Sequence, residues 1–183
     1  LQLGAFLMLL RVKEETGEEL AGFVQACRDS MAPAPTGLTA DLDWSSYAGK
    51  RNQHPWYLLR ALLLAGSGCC VFMHGTDSHT PGRVYARQVL SDLGVPAAPS
   101  LQEADRQLAA NGFAFMSLEH LLPPLHAIMQ LKPLLGLRSP VNTLVRMMNP
   151  GAARYSIQSV FHPNYASLHI GADIRLGQPQ SLV

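Results

Sequence analysis

The chain has 183 residues, of which 48% are apolar and 15% are charged. This balance excludes a disordered protein, and the length allows one substantial core or one domain with part of another. The net charge of +1 hides a pattern. Acidic residues exceed basic ones by seven to three in 1–43 and by four to one in 92–129, whereas basic residues lead by five to one in 44–91 and in 130–183. Two explanations fit this pattern equally well: ordinary variation of surface charge, or two basic segments that meet at one site.

Neither long apolar stretch predicts a signal peptide or a membrane span. Residues 1–10 lack a basic start and a cleavage site, and residues 57–73 are interrupted by Arg60 and a Gly-Ser-Gly sequence. The three cysteines lack metal-binding spacing, and Cys69 and Cys70 are adjacent, which suits a disulfide poorly. We therefore expect reduced thiols, no membrane partner and a cytoplasmic protein. Both ends resemble interrupted elements, so we expect both ends of the natural protein to be truncated here.

Helices are predicted at 3–12 and 16–31, and the second begins with the capping-box pair Thr16 and Glu19. Residues 32–37, APAPTG, are predicted to be a linker and a domain boundary. Everything before this linker is expected to be helical.

After the linker the pattern changes to alternating strands and helices. Strands are predicted at 38–44, 69–74, 113–117 and 155–161, and helices at 55–65, 80–94 and 100–110. This order predicts an α/β fold over 38–183, a mostly parallel sheet flanked by helices, in which 120–150 could return to the helical side. Ligands of such sheets bind at the carboxyl ends of the strands, here the loops 45–54, 75–80 and 118–124.

The loop after the first strand, Ser45–Arg51, is the first candidate site. Phosphate-binding loops at this place use glycines so that backbone N–H groups can approach the anion. This loop has one glycine, followed by Lys50 and Arg51. These two side chains would hold phosphate by charge rather than by a backbone cradle, and a plain solvated turn is the alternative.

The second candidate is His74-Gly75 at the end of the central strand, followed by Arg83 at the start of the next helix. A histidine at the carboxyl end of a buried strand is well placed to contact a ligand, although a lone histidine is more often structural.

The third candidate is the segment Lys132–Pro163. It combines Lys132 and Arg138 with a proline-started helix that reaches Met147 and includes Arg146. No Ser-His-Asp set, P-loop or dinucleotide-binding glycine pattern can be assembled from the chain. There is also no compact acidic pair that would bind Mg²⁺ or act as acid and base.

Three segments together resemble one known family. The early GAFLMLLRVKEETGEELAGFVQA is similar to a segment of the type GALLxALRxKGETxEEIAG, and Met73–Thr76 to a Lys-His-Gly-Asn loop. Lys132–Pro150 is similar to the block R-x-x-L-G-x-R-T-x-x-N-x-x-x-P-x-x-N-P. Over nearly its whole length the chain resembles the anthranilate phosphoribosyltransferase family, also called glycosyltransferase family 3.

The resemblance implies the nucleoside phosphorylase/phosphoribosyltransferase type of fold, with a small helical domain and a larger α/β domain. It implies a homodimer formed through the helices, so that 1–31 would be part of a dimerisation domain. Active members bind phosphoribosyl pyrophosphate, Mg²⁺ and an aromatic amine. No cofactor is certain for this chain, and Mg²⁺ is expected only if the chain is enzymatically active. The acidic pair that binds it would lie beyond Val183.

The departures from the family fall on its ligand residues. Residues 45–51 replace a Gly-Thr-Gly-Gly-Asp phosphate loop, and 79–83 replace a serine-rich stretch. Met73 and Thr76 replace the Lys and Asn of the Lys-His-Gly-Asn loop, and Lys132 stands for the arginine that contacts anthranilate. The positions that keep the family residue are Gly136, Arg138 and Asn142.

These departures resemble a divergent branch, the YbiB type, whose members keep the fold and bind nucleic acid without sequence preference. We therefore predict a degenerate phosphoribosyl pyrophosphate site and a nucleic-acid partner, DNA or RNA. The predicted anion, phosphate or nucleic-acid contacts, none of them catalytic or metal-binding, are Lys50, Arg51, His74, Gly75, Arg83, Lys132, Arg138, Asn142 and Arg146.

Two alternatives stay open. The chain could be an active glycosyl or phosphoribosyl transferase (a pentosyltransferase) on an acceptor other than anthranilate, with His74, Lys50 and Arg51 holding the leaving pyrophosphate. It could also be a structural or regulatory dimer with no ligand at these loops.

Overall fold

A computed structural model describes residues 1–31, 37–47, 54–77 and 82–183. Within these ranges one sheet has five parallel strands in the order β3-β2-β1-β4-β5. The strands are β1 Leu42–Ser45, β2 Val71–Gly75, β3 Phe113–Ser117, β4 Tyr155–Gln158 and β5 Gln180–Leu182. The mostly parallel sheet expected from the sequence is confirmed.

The three central strands are continuous buried runs. Every residue of β1, β2 and β3 is buried, which is the pattern of a parallel sheet covered on both faces. Trp44 of β1 lies opposite Met73 of β2 and Ile157 of β4. This register places the carboxyl ends of the strands along one edge of the sheet.

Helices α2 and α5 begin at the side-chain caps that the sequence predicts. Thr16 and Glu19 form a reciprocal capping box, Ser100 accepts from the Glu103 N–H, and Gly112 ends its helix in the left-handed region at φ 68°. The helices are α1 Gln2–Lys13, α2 Gly17–Ser30, α3 Tyr57–Gly66, α4 Ala86–Asp92, α5 Leu101–Asn111, α6 Leu118–Leu121, α7 Pro123–Met129, α8 Lys132–Leu135, α9 Val141–Leu144 and α10 Asn164–Leu176. A 3₁₀ turn, Val145–Met147, follows α9.

Buried apolar residues form three clusters. Two of them lie around the sheet, one containing Trp44 and Met73 and the other Phe72 and Met116. The largest joins α1 and α2 to α6, α7, α9 and α10, with Leu20 at its centre. Residues 118–148 therefore pack against the first two helices. The division into a helical and an α/β domain stays a prediction.

Most boundaries differ from the sequence prediction by one or two residues, and four predicted elements differ by more than this. Strand β1 starts at Leu42, because the N–H and hydroxyl groups of Thr39 bind Asp105 and hold the preceding residues away from the sheet. Helix α4 starts at Ala86, since Tyr85 is still extended. The helix expected from Ser139 to Met147 is split into α9 and the 3₁₀ turn, and the last predicted strand stops at Gln158.

The cysteines Cys27, Cys69 and Cys70 are unpaired, as expected. In the part of the chain that the structure describes, no helix has the length and apolar character to cross a membrane.

Candidate anion-binding site

The carboxyl ends of four strands bring the predicted loops to one edge of the sheet. Ser45 pairs in register with His74 on one side and Gln158 on the other, and Gly75 pairs with Ser117. The loops after β1, β2 and β4 therefore start next to one another. This edge is where ligands of parallel sheets bind.

His74 lies inside this edge rather than on it. Its side chain has no exposed surface, and Nε2 lies 3.3 Å from the Asp43 carboxylate oxygens. Because a carboxylate only accepts, Nε2 carries a hydrogen, and Nδ1 shares a hydrogen bond with the Tyr47 hydroxyl at 2.9 Å. Burial, and secondarily the Asp43 charge, raises the pKa of Tyr47 well above its usual value. As placed here, His74 organises a buried polar chain and does not reach a surface ligand.

The two described residues that directly follow β1, Ser46 and Tyr47, do not form a phosphate cradle. The Ser46 N–H and Oγ both donate to the His74 carbonyl, at 2.8 and 3.0 Å. A Cβ at Gly75 would overlap Ser46 Oγ, so Gly75 is a position of close packing rather than open backbone. The described residues of this loop, 45–47, are thus buried. They do not fit the pyrophosphate group of phosphoribosyl pyrophosphate.

A cavity of about 80 Å³ lies beside the loop after β4. We call it the arginine pocket. It is lined by Arg11, Arg138, Ser139, Asn142, Thr143, Arg146, Phe161, His162 and Tyr165. Its walls come from α1, from the segment around α9, and from the residues at the start of α10. These segments are far apart in the sequence and meet only in the folded chain.

Arg146 is the unusual member of the arginine pocket. Its side chain is buried, with 8% of its surface exposed, and its Nε–H has no hydrogen-bond partner. Burial lowers its pKa to about 10, with smaller contributions from the Arg138 and Arg83 charges. Neither Arg138 nor Arg146 makes an ion pair with any residue in the described ranges. The pocket therefore holds positive charge that the described protein does not neutralise.

A polar network lies behind Arg146. The Gln158 amide donates to both Asp173 carboxylate oxygens at 3.0 Å, so its oxygen accepts from His169 Nδ1 at 2.6 Å. This arrangement leaves the buried His169 Nε2 as an acceptor without a partner. Burial, and then the Arg146 charge, lowers the pKa of His169 to about 4, whereas burial raises the pKa of Asp173. His169 is therefore neutral at pH 7 and adds no charge beside Arg146.

The predicted site residues separate into three groups. Arg138, Asn142 and Arg146 line the arginine pocket, and Arg83 is close enough to Arg146 to lower its pKa. His74 and Gly75 are buried, while Lys132 is half-buried at the start of α8 and does not line the pocket. The third group, Lys50 and Arg51, lies outside the described residues.

Sequence reasoning missed six residues of the arginine pocket: Arg11, Ser139, Thr143, Phe161, His162 and Tyr165. Arg11 donates to the Tyr165 hydroxyl across 154 positions of sequence, a pairing without a local signal. His162, in the His-Pro corner before α10, was the one residue whose pattern could have suggested a role. Within the described part of the chain, no group of His, Cys, Asp or Glu side chains is placed to hold a metal ion.

Comparison with known proteins agrees with this fold. Residues 1–31 match a family model described as the glycosyl transferase family, helical bundle domain. An anthranilate phosphoribosyltransferase of Anaeromyxobacter sp. (strain Fw109-5) is 29% identical over 184 residues, covering 100% of this chain and 54% of the relative. The uncharacterized protein YbiB of Escherichia coli is 30% identical over 170 residues, covering 90% and 52%. The chain thus spans about half the length of these curated relatives.

The solved structures show the same architecture. The anthranilate phosphoribosyltransferase of Saccharomyces cerevisiae, in complex with PRPP and Mg, superimposes with a TM-score of 0.80 at 18% identity. The match covers 98% of this chain and 51% of that one, which establishes the nucleoside phosphorylase/phosphoribosyltransferase type of fold. Together with the helical-bundle match and the two relatives, it shows that the chain belongs to the anthranilate phosphoribosyltransferase-like family, glycosyltransferase family 3.

Proposed function

We propose that this chain binds nucleic acid without sequence preference through basic side chains at the carboxyl edge of its sheet. The observation that carries the proposal is Arg146, a buried arginine with an unpaired Nε–H beside Arg138 and Arg83. Like charges so close together disfavour one another, and a buried charge needs a counter-charge to be stable. A bound phosphate supplies that counter-charge and accepts hydrogen bonds in the planar geometry that guanidinium groups present.

The arrangement fits a polymer of phosphates better than a single small anion. Arg146 interacts electrostatically with Arg138 and with Arg83, so three positive charges lie near one another. Lys132 lies in the same basic segment as Arg138, and Lys50 and Arg51 follow β1 in the sequence. Repeated contacts to phosphates give affinity without reading the bases. The resemblance to the YbiB type carries the same expectation.

We also propose that the phosphoribosyl pyrophosphate site is degenerate. Met73, where the family has a lysine, is fully buried in an apolar cluster and brings no positive charge to the site. The Ser46 N–H and hydroxyl are bound to the His74 carbonyl and are not free to hold an anion. The positions of Met73 and Ser46 therefore support the prediction that this chain lacks groups with which the family holds phosphoribosyl pyrophosphate.

The test is a fluorescence anisotropy titration of two unrelated oligonucleotides of equal length at several salt concentrations. We expect equal affinities for the two sequences, and a logarithm of the binding constant that falls linearly with the logarithm of salt. An affinity that does not change between low and physiological salt would contradict the proposal. So would a strong preference for one of the two sequences.

A transferase acting on an acceptor other than anthranilate is the second candidate. Its support is the structural likeness to the Saccharomyces cerevisiae enzyme, whose structure is a complex with PRPP and Mg. The retained Gly136, Arg138 and Asn142 also favour it. Transfer would release pyrophosphate, so pyrophosphate release that depends on phosphoribosyl pyrophosphate and on an added acceptor would favour this candidate.

We further propose that 1–31 belongs to a helical dimerisation domain. One face of α1 exposes large apolar side chains, with Phe6 at 51%, Leu9 at 71% and Val12 at 84%. A face of this kind suits contact with another helix, as expected of a homodimer. Light scattering that gives the mass of a monomer at micromolar concentration would contradict it.

A further inference from the structure

The arginine pocket has an aromatic rim that phosphate binding alone does not use. Phe161 is 60% exposed, and its ring lies 4.9 Å from His162 at an interplanar angle of 81°. His162 lies 6.4 Å from Tyr165, so the three rings follow one another along the pocket. An aromatic side chain this exposed, next to unneutralised arginines, offers a free ring face to a ligand that also carries negative charge.

We infer that the strand bound at this edge is single-stranded, with one phosphate in the arginine pocket and the adjoining base stacked on Phe161 or His162. This inference rests on the proposed nucleic-acid function and names the form of nucleic acid that the site takes. Arg138 and Arg146 contact the phosphate, with Ser139 and Asn142 on the same wall of the pocket.

The size of the cavity favours a base that lies outside it. A volume of about 80 Å³ is several times the roughly 10–15 Å³ that admits one water molecule, which suits a phosphate group better than a whole nucleotide. We therefore place the base attached to that phosphate at the rim, which is where Phe161 is exposed.

Stacking on the rim requires an unpaired strand. In a duplex both faces of each base are covered by neighbouring base pairs, and only the base edges are open in the grooves. A single strand can turn its bases outward onto aromatic side chains, and such stacking tolerates any base because every base has a π face. The rim thus adds affinity for single strands without adding sequence preference.

The experiment measures the binding of two variants to three probes by fluorescence anisotropy. The probes are a single-stranded oligonucleotide of mixed sequence, the same sequence as a duplex, and the single strand with abasic sites. The variant is Phe161→Ala, whose side chain is exposed and whose loss leaves the core intact. The matched control is Trp56→Ala, because Trp56 is 68% exposed and also pairs edge-to-face with a histidine, His54, away from the arginine pocket.

We expect the single strand to bind more tightly than the duplex or the abasic strand. Phe161→Ala should weaken single-strand binding by about 5- to 100-fold, the usual effect of losing one stacked base. It should leave duplex binding unchanged, and Trp56→Ala should change neither. Equal binding of all three probes, with no effect of Phe161→Ala, would overturn this inference and leave the proposed function standing. If no probe binds at low salt, the proposed function fails as well.

Discussion

Replacing Arg146 by methionine should make the unliganded protein more stable and a weaker binder. Methionine is unbranched and of similar length, and Arg146 is followed by the buried Met147 and Met148. Burial lowers the pKa of Arg146 to about 10, which corresponds to roughly 3 kcal/mol against the charged form. The unpaired Nε–H is part of this burial cost. Since methionine removes the buried charge and loses some packing, we expect a net gain of about 1–3 kcal/mol in the free energy of unfolding.

The assay is urea unfolding at pH 7 in a buffer free of phosphate and sulfate, because a bound anion would stabilise the wild-type protein by mass action. Adding phosphate should then raise the free energy of unfolding of the wild-type protein but not that of Arg146→Met. In oligonucleotide titrations the variant should bind about 10- to 100-fold more weakly, as expected from losing charge-assisted hydrogen bonds to a phosphate.

Arg138→Met is the matched control for this experiment. Arg138 lines the same pocket but is exposed, so its charge carries little burial cost. Its removal should weaken binding while leaving the free energy of unfolding nearly unchanged. If Arg146→Met instead destabilised the protein and left oligonucleotide binding intact, Arg146 would be a structural residue and not a phosphate contact.

Three further changes test other parts of the structure. Gly75→Ala should lower the melting temperature by several degrees because its Cβ overlaps Ser46 Oγ, and adding Ser46→Ala should recover part of the loss. Leu20→Ala, in the fully buried centre of the largest cluster, should cost about 2–5 kcal/mol in urea unfolding. The pKa of His169 is about 4 in the folded chain and about 6.5 in the unfolded chain. Between these values the unfolded state binds more protons. The contribution of His169 to the free energy of unfolding therefore falls by about 3 kcal/mol as the pH drops from 6.5 to 4. His169→Asn, which keeps a donor for Gln158, should remove this part of the pH dependence, and an unchanged pH profile would contradict the assignment.

The secondary structure was predictable where local signals were strong. Thr16 and Ser100 mark helix starts by hydrogen bonds that their own segments supply, and β2 and β3 are short apolar runs that need both faces of a sheet covered. The start of β1 was not predictable, because the hydrogen bonds from Thr39 go to Asp105, 66 residues away.

The candidate site shows the same limit. Arg138, Asn142 and Arg146 are close in sequence around one short helix, so the basic pattern could group them in advance. Arg11 and Tyr165 enter the pocket only because the fold brings the end of α1 to the start of α10. The burial of His74 depends on Asp43 and Tyr47 from the neighbouring strand and its loop, contacts that no pattern around His74 reveals.

The proposed function requires that a chain keep this family's fold while the fold binds a different ligand. The apolar clusters around Leu20 and Trp44 stabilise the architecture without the ligand groups. Met73, which replaces a family lysine, packs into the cluster around Trp44.

Arg138 and Arg146 are proposed to hold phosphates of a nucleic acid, and the salt dependence of single-strand binding counts these contacts. Each phosphate contact contributes about 0.7 to the magnitude of the slope of log binding constant against log salt for a single strand. The double variant Arg138→Met/Arg146→Met should therefore reduce the magnitude of the wild-type slope by about 1.4, equally for two unrelated sequences. If the wild-type protein and the double variant have the same slope, these arginines do not hold phosphates.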